Sequence, residues 1–235
     1  MNEAEGRGAS GECVPTRSVG TREPGAGTSA PGSRPASAGP SITREALALL
    51  PIRKYEGTVR VPVTPEELQH ARQDLQQERV VGFDTETRPS FNKGQAYLPS
   101  LVQLATARAV YLFRPQLHDV ADALSEVLGN PLVVKTGVAV VDDLRKLKEL
   151  FPFAERNVID LGDIAKRHGL AQSGVRNLVG LFLGWRVTKG SRTSNWAREH
   201  LSHGQITYAA TDAWACRELY LHFQRMGWLT PQPGP

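Results

Sequence analysis

The chain has 235 residues, 40% of them hydrophobic and 22% charged, with a formal net charge of +4. That length holds one substantial domain plus appendages, and the mild basic excess fits a polyanionic partner without identifying one. Two cysteines in dissimilar contexts, Cys13 and Cys216, no Cys/His cluster with ligand spacing, and no apolar run of the roughly 18 residues a membrane span needs exclude a disulfide scaffold, a zinc module and a helical membrane protein. These features point to a soluble protein of a reducing compartment, the cytoplasm, with no disulfide partner and no membrane.

Residues 1–40 are rich in Gly, Pro, Ser, Ala and Thr and nearly lack large apolar side chains. Such a segment cannot offset its ordering entropy, so it reads as a disordered leader. Glu3, Glu5, Glu12 and Glu23 argue against a transit peptide. A flexible tether and a start codon assigned too far upstream both fit. Residues 41–58 read as a linker with a short helix at 42–50, ended by Pro51, and 56–63 alternates toward an edge strand. Thr64-Pro65-Glu66-Glu67 starts a helix to about residue 77, with Thr as N-cap, Pro at the first helical position and Glu three residues after the cap.

Strands are expected at 80–85, 101–106 and 110–113, the last two forming a hairpin. A helix at 118–128 stops at Gly129-Asn130-Pro131. A strand at 132–135, a helix at 140–150 and a short strand at 157–159 follow. Helices at 161–168, 175–183 and 205–226 complete the pattern, and 229–235 is a tail. Early strands in a meander, then alternating strand and helix, imply an α/β fold with a mixed sheet flanked by helices.

Three separated stretches carry four carboxylates and a tyrosine. Phe83-Asp84-Thr85-Glu86-Thr87 ends an apolar strand, and residues two apart on a strand face the same way, so Asp84 and Glu86 are neighbours roughly 7 Å apart. Tyr208 and Asp212 sit at i and i+4 on one helical face. Gly137-Val138-Ala139-Val140-Val141-Asp142-Asp143 leads into a helix whose adjacent acids diverge by about 100°, so only one can face a site. Acids beside apolar strands are costly unless neutralised, and divalent metal is the usual answer.

The set resembles the DEDD superfamily of 3′→5′ exonucleases, closest to its ribonuclease D and Werner-type branch. Its Asp-x-Glu is matched by Asp84 and Glu86. Its Gly-Val-x-hydrophobic-x-x-Asp turn, followed by Lys-Leu, is matched by Gly137 to Asp143 with Lys146-Leu147, which selects Asp143. Its Tyr-x-x-x-Asp is matched by Tyr208 and Asp212, which marks the tyrosine subgroup, and Ser194-Asn195-Trp196 is also typical.

The resemblance implies a ribonuclease H-like domain over 59–228 with a mixed five-stranded sheet. It also implies hydrolysis of single-stranded or 3′-recessed nucleic acid to nucleoside 5′-monophosphates. Two divalent ions, Mg²⁺ or Mn²⁺, would be held by oxygen ligands alone. Asp84 would bridge both ions, Glu86 and Asp212 would hold the one carrying the attacking water, and Asp143 would hold the other directly or through water. Tyr208 would orient that water and help deprotonate it.

Thr87, Arg88, Gln103, Lys189 and Arg192 are candidate substrate contacts. Phe91, Lys93 and Gln95 lie in a loop able to offer a ring and a cation to a strand. Each also fits a plainer part: solvated loop for the cations, sheet-face polar residue for Gln103, packing anchor for Trp196. Two other functions fit the motifs less fully. One is a catalytically silent nucleic-acid-binding module on the same fold; the other is an Asp-based phosphatase, whose Asp-x-Asp-x-Thr is broken here by Glu86.

Overall fold

Pro65 opens α2 (Pro65–Gln76) in the manner its sequence demands: Thr64 accepts from the Glu67 N–H, and Glu67 reaches back to the Thr64 N–H. A computed structural model describes residues 39–90, 96–188, 190–191 and 193–229. The leader lies outside these, apart from its last two residues. Short α1 (Arg44–Leu49) and β1 (Thr58–Arg60) precede α2. Then come β2 (Val80–Glu86), β3 (Leu101–Ala105), β4 (Ala109–Phe113), α3 (His118–Gly129), β5 (Val134–Gly137) and α4 (Val140–Leu147). After β6 (Val158–Asp160), α5 (Leu161–Arg167), α6 (Val175–Leu178) and α7 (His203–Arg225) complete the domain.

The sheet order is β1-β4-β3-β2-β5-β6. Six strands are present, one more than the five the resemblance implies. The added one is β1, a three-residue edge strand parallel to β4 within the alternating 56–63 stretch. Only β3 runs against the rest. The chain leaves β2 first to one side, through the β3–β4 hairpin, and later to the other, through β5 and β6. That reversal puts the carboxyl end of β2 at a switch point, where open α/β sheets hold their ligands.

Two apolar layers enclose the sheet. Val81 and Phe83 face α2, α3 and α4 with Leu75, Leu124 and Leu144. Leu101, Ala105 and Leu112 face α7 and the fully buried Trp196. Burying side chains of this size contributes about 1.5–3 kcal/mol each. The expected helix at 175–183 divides: α6 stops at Leu178, and Val179–Leu183 widens into a π-turn ended by Gly184 at φ +71°.

Two glycines bring backbones into direct contact. A Cβ on Gly82 in β2 would lie 1.9 Å from the Ala213 carbonyl of α7. A Cβ on Gly137 would lie 2.4 Å from the Phe83 carbonyl. Neither contact leaves room for any side chain. Replacing Gly82 by Ala is expected to cost about 3 kcal/mol, the upper part of the overpacking range, by driving α7 off the sheet. Chemical denaturation of the purified variant checks this; unchanged stability would show that α7 does not press on β2 as described.

Candidate active site

Asp84 and Glu86 project from the last residues of β2, on the face that α7 covers. The pairing of β2 with β5 ends at Gly82 opposite Thr136, so β2 runs on past its neighbour. Its other edge stays paired, with Asp84 opposite Gln103 and Glu86 opposite Leu101 on β3. Close packing at Gly82 then lays Asp212 and Tyr208 of α7 over that projecting end. Carboxylate oxygens of Asp84, Glu86 and Asp212 come within 4.8 Å of one another, and Glu86 and Asp212 are buried.

Asp143 approaches from the opposite layer. Thr85 points away from Asp84 and hydrogen-bonds the Asp143 carboxylate. The turn into α4 is strained: Ala139 has φ +60°, a left-handed conformation that disfavours a Cβ. Asp160, at the end of β6, holds this helix start by accepting from the Val140 N–H at 3.0 Å while capping α5 through the Gly162 and Asp163 N–H groups. Asp142 is exposed and faces Arg145 at 3.8 Å, whereas Asp143 is half-buried, which separates the two adjacent acids as helical geometry requires.

Burial drives the electrostatics. Asp84 is pushed well above the usual carboxylate range, first by burial and then by the charges of Asp212 and Asp143. Asp212 rises to about 7 through burial, although the Tyr208 hydroxyl donates to it and the Arg176 cation opposes the shift. Asp143 is also raised by burial, against the Thr85 bond and Lys146. The Tyr208 phenol is pushed far up by burial and by Asp212, Glu86 and Asp84, so it stays protonated. With its one proton donated to Asp212, the Tyr208 hydroxyl can accept a hydrogen bond from a water beside it.

A divalent cation fits this donor set. The ligands are hard oxygens, their charges repel in a desolvated space, and Asp212 Oδ1 is buried with no hydrogen-bond partner. Such an orphaned acceptor is what a cation satisfies.

Gln103 is fully buried, with neither amide atom hydrogen-bonded. It lies beside Asp84, its partner across the β2–β3 ladder, and beneath α7. Trp196 is fully buried too, 6.0 Å ring to ring from Tyr208. The Ser194-Asn195 pair before it receives the buried Gln205 amide, at 3.1 Å to Ser194 Oγ and 3.2 Å to the Asn195 carbonyl. This motif thus secures the start of α7 and backs Tyr208. Arg88 is exposed, its guanidinium 3.7 Å above the Tyr97 ring, and Thr87 is half-buried. Lys189, Arg192, Phe91, Lys93 and Gln95 lie outside the described residues. Sequence reasoning missed Thr85 and Arg176. A hydroxyl between two acids was a usable signal for the first, while nothing local marks an arginine on α6 as a neighbour of Asp212.

Residues 59–228 match the family described as 3′-5′ exonuclease. A human protein, "Exonuclease mut-7 homolog", is 31% identical over 174 residues, covering 62% of this chain and 20% of that protein. Ribonuclease D of Haemophilus influenzae is 32% identical over 148 residues, covering 62% of this chain and 36% of that one. The chain therefore spans well under half the length of these curated relatives. The crystal structure of the Aedes aegypti Nibbler EXO domain superposes with a TM-score of 0.65 at 26% identity, covering 74% of this chain and 91% of that one.

The raised carboxylates predict a pH dependence of stability in metal-free protein. A carboxyl whose folded pKa, about 7 for Asp212, exceeds its unfolded value binds more protons when folded. Its stabilisation is complete below the unfolded value and is lost as pH rises through the folded one. With chelator present, the melting temperature is expected to fall more steeply from about pH 5 to about pH 8 in the native chain than in Asp212→Asn. Parallel curves would show that Asp212 is not raised.

Proposed function

On the premise that this chain belongs to the 3′-5′ exonuclease family, we propose that it hydrolyses nucleic acid from a free 3′ end, releasing nucleoside 5′-monophosphates. The observation that carries this reading is the meeting of Asp84, Glu86 and Asp212 oxygens within 4.8 Å beneath a tyrosine that donates to one of them. Asp84, Glu86, Asp143 and Asp212 would hold two divalent ions, Mg²⁺ or Mn²⁺. Bound there, the ions neutralise the acids, acidify a water and clamp an in-line displacement at phosphorus.

The remaining work belongs to the chain. Tyr208, its ring backed by Trp196 and its hydroxyl donating to Asp212, orients the attacking water by accepting a hydrogen bond from it. Arg176 offsets part of the negative charge at Asp212. Thr85 fixes the Asp143 rotamer from behind. Residues 59–228 form the exonuclease domain, preceded at 41–58 by a connecting stretch that carries a short helix and is hydrogen-bonded to the domain, and followed by 229–235 as a tail. Among the described residues no helix is long and apolar enough to cross a membrane.

Asp84→Asn is expected to abolish hydrolysis while circular dichroism shows an intact fold, because one lost charge weakens the whole cluster. Digestion of 5′-labelled oligonucleotides measures it, and near-native turnover would sink the assignment. In the same assay a 3′-blocked strand is expected to resist, and chelator to stop the reaction. Tyr208→Phe keeps the ring and its packing but loses the hydroxyl. Turnover is expected to drop on the order of 10²-fold with little change in substrate affinity; full turnover would make Tyr208 structural.

A further inference from the structure

Residues 50–55 precede the matched exonuclease region, 59–228, yet they are tied to the half of the molecule that carries the site. Ile52 forms a bridge with Arg186. The Arg53 N–H donates to the Arg186 carbonyl at 3.2 Å, and the Arg186 N–H to the Pro51 carbonyl at 2.9 Å. Arg186 Nε donates to the Leu50 carbonyl at 3.0 Å. On the far side of Lys54, the Tyr55 N–H donates to Thr211 Oγ1 at 3.0 Å, and the Tyr55 ring lies 5.9 Å from Trp214. Thr211 immediately precedes Asp212. Lys54 is therefore held between two anchors, Arg186 ahead of it and α7 behind it.

A cavity of about 270 Å³ lies between this strap and α7. Lys54, Thr188, Ser191, His203, Thr207 and Tyr208 contribute to its wall, and no carboxylate does. Tyr208 is thus shared between the cavity and the acidic cluster. Lys54 is exposed and makes no hydrogen bond or ion pair with the described residues. A free ammonium beside several hydroxyls is a phosphate-binding chemistry, and it has no use for a cation.

We propose that the strap completes the substrate cleft and that Lys54 binds a non-scissile backbone phosphate of the strand whose 3′ end lies against Tyr208. This rests on the exonuclease reading above. Lys54 would contact phosphate alone, so DNA and RNA single strands gain equally from it.

The test is Lys54→Ala, with Lys54→Arg beside it, in the full chain. KM, kcat and the salt dependence of binding are measured on matched single-stranded DNA and RNA oligonucleotides. Losing one phosphate contact to a single strand is expected to reduce the slope of log K against log salt by about 0.7, and to raise KM about 5-fold near ~0.1 M salt. The expected result leaves kcat unaltered, on both DNA and RNA, with Lys54→Arg restoring affinity. Unchanged KM and slope, or a fall in kcat alone, overturns the strap proposal while leaving the exonuclease reading in place. A native chain that neither binds nor cleaves either strand overturns the reading on which it rests.

Discussion

Everything at the site depends on how closely α7 lies against β2. The Ala213 carbonyl occupies the space a Cβ on Gly82 would need, so helix and strand meet backbone to backbone. Ala209, Ala210 and Ala213 keep the rest of that helical face short. Asp84 and Glu86 follow Gly82 at two-residue steps on one face, while Asp212 immediately precedes Ala213. Fixing the Gly82–Ala213 contact therefore fixes the three carboxylates relative to one another. A larger residue at Gly82 would drive the Ala213 carbonyl, and Asp212 with it, away from Asp84 and Glu86.

That convergence is unfavourable in isolation. Buried acids raise one another's pKa, Asp212 keeps an oxygen with no partner, and Ala139 holds a left-handed turn that a glycine would adopt with less strain. The surrounding structure overrides these costs. The β2–β3 ladder, the two apolar layers and the double cap by Asp160 leave the acids nowhere else to go. Rigid placement of repelling charges is what a cation site needs, since flexible acids would separate and lose affinity. Strain at Ala139 and repulsion at Asp84 are thus two parts of one arrangement.

The parts legible in the sequence were those set by local periodicity. Alternation along β2 placed Asp84 and Glu86 together, and the helical repeat placed Tyr208 over Asp212. Divergence of neighbouring helical residues separated Asp142 from Asp143. What escaped reading was set by partners far along the chain. Gly82 is one small residue in an apolar run until α7 is laid upon it. Gln103 reads as a site contact or a satisfied polar residue on a sheet face, and nothing in its own strand shows that the same helix buries it with both amide atoms unpartnered. The π-turn after α6 has no compositional mark, because Val179 to Leu183 would continue a regular helix equally well. β1 was visible as alternation, yet it is only a three-residue edge strand, and the five strands implied by resemblance left it out. Lys54 carries no motif, and only the hydrogen bonds around it give it a place.

The charge pattern bears on how an acidic centre can meet a polyanion. Four carboxylates at the end of β2 and its neighbours would repel a phosphodiester approaching them. Two kinds of positive charge answer this at different depths. Cations held among the acids would act at the floor, where the carboxylate oxygens converge. Side-chain cations act further out: Arg176 beside Asp212, Lys146 near Asp143, and Lys54 across the cavity from Tyr208. Coulomb interactions are weak in water and strong where water is excluded, so the inner charges decide chemistry and the outer ones decide approach. The small formal excess of +4 says little about this. What matters is the layering: negative charge is buried at one point, Arg176 and Lys146 lie half-buried beside it, and Lys54 is exposed at the rim, so under the proposed reading a strand would meet Lys54 before the acids.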